Sequence, residues 1–133
     1  MRRFILLLAI AGAFASTASA SPSTSILIRH QLKGCHTWAI GNGAYRSSLS
    51  LTARPTTTLT FTDNDVMPQQ LVQLSGPKVH LVTPNMHTPG AHASVQLFAR
   101  GRYVFGTKPG EDYMAGMKTI GEDNTLRLVV IVP

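Results

Sequence analysis

The chain has 133 residues, 44% of them hydrophobic and 14% charged, with twelve Lys and Arg against six acids for a formal charge of +6. That length supports one domain built on one core. The basic excess is diffuse, without runs of like charge or interleaved aromatics, which argues against the clustered cationic face of a nucleic-acid binder.

Residues 1–20 read as a secretory signal peptide. Arg2 and Arg3 are followed by an apolar run from Phe4 to Phe14, and Ala18, Ser19 and Ala20 offer small residues for cleavage. The run is too short to span a bilayer. The mature chain is therefore expected to be one domain, residues 21–133, exported to the periplasm or cell exterior without a membrane span. Loss of Arg2 and Arg3 leaves ten cations against six acids, +4. The single cysteine, Cys35, cannot form an intramolecular disulfide. In an oxidising compartment it is buried and inert, joined to another chain, or a free thiol with a task.

Beyond the leader no stretch shows a sustained 3.6-residue apolar period, and Pro and Gly interrupt the chain about every ten residues. Strand signals recur instead. Ser25–Ile28 is a short apolar edge. Thr37–Ile40 places Trp38 and Ile40 on one face, and Gly41–Gly43 forms a turn. Leu49 and Leu51 alternate with Ser50 and Thr52, and Leu59 and Phe61 alternate with Thr60 and Thr62. Leu71–Leu74 follows. Ser75 to Ala93, with three prolines and two glycines, reads as a long connection. Ser94–Phe98 and Tyr103–Thr107 come next, and the near-continuous apolar run Leu126–Val132 suggests a central strand covered on both faces. Seven to eight short strands of this kind predict an all-β, antiparallel-rich Greek-key sandwich.

Two segments resemble a known family. SLSLTARPTTTLTFTDNDVMPQQLV (residues 48–72) is similar to the first half of the cupredoxins, the plastocyanin-like blue copper proteins. There, two alternating strands lead into a loop that ends Pro-His. GRYVFGTKPGEDYMAGM (residues 101–117) resembles the second half, a Gly-x-Tyr-x-Phe strand entering a ligand loop. The likeness covers nearly all of residues 25–133 and implies a cupredoxin-like fold and copper as cofactor. The ligands are mostly replaced. The first histidine of the pattern falls on Gln69, the cysteine on Thr107 and the second histidine at about Gly110; only the methionine has a counterpart, Met114. A blue site depends on a copper–thiolate bond completed by two imidazoles, so that site is not expected here.

A different donor set follows from strand direction. The loops after Phe61 and Phe105 share one end of the sandwich if they correspond to ligand loops. The segment carrying Met86, His87 and His92 then arrives at that end, and the resemblance to the cupredoxins implies that the chain entering the Trp38 strand comes from the same rim. Cys35, His36 and Met114 are thus the expected metal ligands, with His92, His87 and Glu111 as secondary candidates. Sulfur with imidazole favours Cu(I), and a dominant thiolate admits Cu(II) or Zn(II). Because neighbours on a strand face opposite ways, Cys35 and His36 share an ion only if Gly34 lets the backbone turn. Asn64 and Asp65 read as loop-fixing residues, and His30 and His80 belong to no motif.

Two functions remain open from the sequence: an exported copper-handling or electron-transfer protein with a redox or copper-transfer partner, and a metal-free binding module that has lost its copper site. No Ser-His-Asp order, carboxylate pair or phosphate-cradling glycine loop appears, so no enzyme is expected.

Overall fold

The computed structural model describes residues 20–30, 36–110, 114–116 and 125–133. The expected leader lies outside the described residues except for Ala20, as do Cys35 and Glu111. Nine strands are present among the described residues: β1 (Ser23–His30), β2 (His36–Ile40), β3 (Ser48–Thr52), β4 (Thr58–Asp63), β5 (Gln69–Ser75), β6 (Asn85–Met86), β7 (Ala91–Gln96), β8 (Gly101–Pro109) and β9 (Arg127–Val132). They form a four-stranded sheet, β2-β1-β4-β7, and a five-stranded sheet, β3-β9-β8-β5-β6. The pairs β1–β4 and β3–β9 are parallel and the other five are antiparallel.

Period-two alternation explains the packing. In β4, Leu59, Phe61 and Asp63 are buried while Thr58, Thr60 and Thr62 are only partly covered, as expected for a strand with one face on a core. Ile26 and Ile28 of β1 and Trp38 of β2 bring the same sheet's apolar side inward, against Leu71, Tyr103, Phe105, Leu128 and Val130 of the other sheet. Aromatic rings bind the two layers. Phe61 sits 6.1 Å from both Trp38 and Phe105, and Phe105 stacks on Tyr103 at 6.3 Å. Each such side chain contributes roughly 1.5–3 kcal/mol by leaving water.

Three expectations need correction. The stretch Ser75 to Ala93 is not a plain connection, because β6 and the start of β7 lie within it. The strand read as Ser94–Phe98 is Ala91–Gln96, and Phe98 is exposed. Strand β9 is interior to its sheet but covered on one face only. Leu128, Val130 and Val132 are buried, whereas Ile131 is 38% exposed. An apolar run cannot show that a two-layer sandwich has nothing to lay over its outer face.

Register then decides what gathers at each end. Gln69 opposes Pro109, so β5 begins where β8 stops. Ile28 is aligned with Asp63 and His30 with His36, so β1 ends and β2 begins beside the end of β4. Asp63 also opposes Ala91 at the start of β7. The end of β1, the start of β2, the β4–β5 connection, the entry to β7 and the exit from β8 therefore share one rim.

Candidate metal centre

The inward parity of each strand carries past the apolar core and ends in polar side chains at this rim. In β1 the series Ile26, Ile28 reaches His30; in β2 the series Ile40, Trp38 reaches His36, which is 2% exposed. In β4 the series Leu59, Phe61 ends on Asp63, and in β5 Leu71 is preceded by Gln69, both fully covered. Buried Met86 of β6 lies in register with Gln69. A polar layer thus closes one end of the hydrophobic interior.

Within that layer Asp65, in the loop after β4, stands between two imidazoles. The Nδ1–H of His36 donates to Asp65 Oδ2 at 2.5 Å, and His30 Nδ1 lies 3.8 Å from Asp65 Oδ1. The two rings are 6.4 Å apart and meet edge to face at 69°. One ligand atom from each of His30, His36 and Asp65 falls within 4.8 Å of the others. Asp65 also fixes its own loop, as Oδ1 accepts the amide of Met67 at 3.0 Å. Its amide in turn donates to Asp63 Oδ1 at 2.9 Å.

The two carboxyls are driven in opposite directions. Burial raises Asp63 from 3.8 to about 7, and the nearby Asp65 charge adds to this; the amides of Asp65 and Gln69 and the His36 charge oppose it in part. For Asp65 burial is also the largest single influence and acts upward. The hydrogen bond from His36, the Met67 amide and the charges of His36 and His30 together outweigh it, holding Asp65 below 3.8. Asp65 is therefore the standing anion of the site, and burial moves proton loss from Asp63 up toward neutral pH.

Gln69 completes the arrangement. Its Nε2 lies 3.3 Å from His36 Nδ1. That nitrogen already carries the proton given to Asp65 and cannot also accept one. The Oε1 of Gln69 and the Oδ2 of Asp63 are buried without a hydrogen-bond partner among the described residues, which is costly for oxygens in a core. Imidazole and carboxylate donors suit a divalent ion such as Cu(II) or Zn(II), and on that chemistry the residues fit a metal.

Of the residues expected from sequence, His36 is in this cluster. Cys35 precedes it and lies outside the described residues, as does Glu111. Met114 follows β8, half-buried, with its amide bonded to the Gly110 carbonyl at 2.7 Å. His92 points away: Ala91 and Ala93 take the inner face of β7, and the ring of exposed His92 bonds to Thr62 on the outer surface at 2.9 Å. His87 is exposed between β6 and β7. Sequence reading missed His30, and it gave Asp65 only the loop-fixing part of its work. The available signal was the parity of His30 with Ile26 and Ile28, had the first strand been carried two residues further.

No family model and no curated protein matches the chain. Solved structures do. A multicopper oxidase aligns over 83% of the chain with TM-score 0.51 and 14% identity, and the chain spans 41% of that protein's length. A variant of the multicopper oxidase McoA from the hyperthermophile Aquifex aeolicus aligns over 84% of the chain and 27% of its own, at TM-score 0.50 and 14% identity. A purple cupredoxin from Nitrosopumilus maritimus covers 80% of the chain and 97% of its own length, at TM-score 0.43 and 15% identity. Likeness at such identities is one of fold. The two sheets form a cupredoxin-like β-sandwich.

Proposed function

We propose that this chain is an exported copper-binding protein that uses its cupredoxin-like fold for copper handling or electron transfer. The observation that carries the reading is the convergence of His36, His30 and Asp65 at the rim where the resemblance puts ligand loops. Cys35, one residue before His36, and Met114, after β8, are the sulfur donors the sequence assigns to the same rim. Copper, when bound, supplies either a one-electron couple or a transferable cargo. The protein's part is to hold and orient it, and the reading assigns no catalytic turnover. A redox protein or a copper-transfer protein is the corresponding partner. Among the described residues no helix is long and apolar enough to cross a membrane.

Equilibrium dialysis of the mature chain with Cu(I) and with Cu(II) tests this. Stoichiometric uptake that Cys35→Ser or His36→Leu abolishes supports the proposal. Folded wild-type protein that takes up neither form refutes it. The metal-free binding module, motivated by Gln69, Thr107 and Gly110, then becomes the better reading.

A further inference from the structure

We infer that the ion is divalent and is held by His30, His36, Asp65 and the amide oxygen of Gln69, rather than by the sulfur atoms of Cys35 and Met114. This deepens the copper reading and rests on it. Three observations lead here.

The first is geometric. His30 and His36 are register partners on antiparallel strands with their side chains on the same face, and Asp65 offers one oxygen toward each ring. Bonds of about 2.0–2.2 Å from nitrogen and oxygen to a divalent ion require neighbouring donors to sit about 3 Å apart. The spacing of up to 4.8 Å closes by side-chain movement of an ångström or so. His30 is free to make it, because its side chain is 49% exposed whereas that of Asp65 is fully covered.

The second is the amide. Gln69 is fully buried beside His36, with Oε1 lacking a hydrogen-bond partner among the described residues. In the metal-free protein His36 Nδ1 gives its proton to Asp65, so an amide nitrogen facing it gains nothing, and an ion bound at that nitrogen displaces the proton to solvent. Turning the amide over has the same shape and presents Oε1 to the cluster. Gln69 then supplies a neutral oxygen donor at the position where the resemblance puts an imidazole.

The third is the character of the set. Two imidazoles, one carboxylate and one amide oxygen are borderline-to-hard donors, which favour Cu(II) or Zn(II) over Cu(I). Three of them are locked in the interior, and His30 faces water. An ion so held is reached and released from the His30 side. That arrangement fits exchange of a divalent cargo better than a sealed electron-transfer centre.

The test is dialysis of the mature wild-type chain against Cu(II) and Zn(II) in air and against Cu(I) under anaerobic reducing conditions. His30→Ala, Gln69→Leu, Cys35→Ser and Met114→Leu are compared, and the electron paramagnetic resonance spectrum of the Cu(II) form is recorded. Expected are one Cu(II) per chain, coupling to two nitrogens, and binding weakened for His30→Ala by more than the roughly 10- to 100-fold typical of losing a residue that only supports a ligand. Gln69→Leu weakens binding in the same direction, and Cys35→Ser and Met114→Leu leave it unchanged. His30 is exposed, so its replacement does not threaten folding. Copper binding that falls with Cys35→Ser or Met114→Leu but not with His30→Ala overturns the ligand assignment and leaves the copper reading standing. Tighter binding of Cu(I) than of Cu(II) overturns it as well. No uptake of either form by folded wild type removes both.

Discussion

Replacing Asp63 by Asn in the metal-free protein isolates one buried charge. Asp63 is fully covered and accepts the Asp65 amide; the titratable groups around it are Asp65, His36 and, further out, His30. In the unfolded chain its carboxyl releases a proton near 3.8, and in the folded chain near 7, chiefly because burial disfavours the charge. The folded state therefore binds more protons between those values, and stability falls as pH rises through that window. The loss is complete about one pH unit above 7.

At 1.36 kcal/mol per pKa unit, the interval from pH 5 to pH 7 corresponds to about 3 kcal/mol of this loss. Asp65, held below 3.8, acts in a separate window. Its contribution is present above 3.8 and is lost only as pH falls through its lower folded value. Asn at position 63 can keep the acceptor for the Asp65 amide but cannot ionise. Its NH₂ group, set where Oδ2 now lies, costs about 1–3 kcal/mol if unpaired, and that cost does not vary with pH. The stability difference between variant and wild type should thus move in the variant's favour by about 3 kcal/mol from pH 5 to pH 8. Urea unfolding followed by fluorescence of Trp38, the single tryptophan and fully buried, measures it in the presence of chelator. Parallel stability curves for the two proteins across this range would refute the electrostatic account of Asp63.

Other outcomes follow from the same structure. Gly76 has φ of +107°, and a Cβ there would lie 2.4 Å from the Arg102 carbonyl oxygen and 2.8 Å from the Tyr103 Cα. Gly76→Ala should therefore lower unfolding free energy by at least about 1–3 kcal/mol in a denaturant titration. Phe61→Ala removes the ring that joins Trp38 to Phe105 and should cost about 3–5 kcal/mol, read as a lower urea midpoint. Gln69→His places an imidazole beside His36 and should tighten Cu(II) binding and add a third nitrogen to its resonance spectrum; weaker binding without loss of fold would count against a ligand at position 69. Thr62→Val removes the bond to His92 on the outer face and should leave Cu(II) affinity unchanged in dialysis.

Much of the strand layout was legible because alternation is written residue by residue. Leu49 and Leu51, Leu59 and Phe61, and Tyr103 and Phe105 announce one-sided strands before any pairing is known. The inward setting of His36 was readable from its parity with Trp38. Strand β6 was not readable, since two residues between prolines carry no period. Nor was the open outer face of β9, because an apolar run looks the same whether one or both sides are covered.

The donor cluster belongs to a different order of information. His30, His36, Asp65 and Gln69 lie on four segments spread over forty residues, and each alone reads as an ordinary polar position. Local pattern determined the strands, the buried faces and the polar residue that ends each one. Only sheet pairing decided that those ends coincide. The parallel contact of β1 with β4 brings Asp63 alongside Ile28, and the hydrogen-bond register of β1 with β2 sets His30 opposite His36. Those alignments arise from contacts between distant parts of the chain, so the cluster exists only once both sheets have formed.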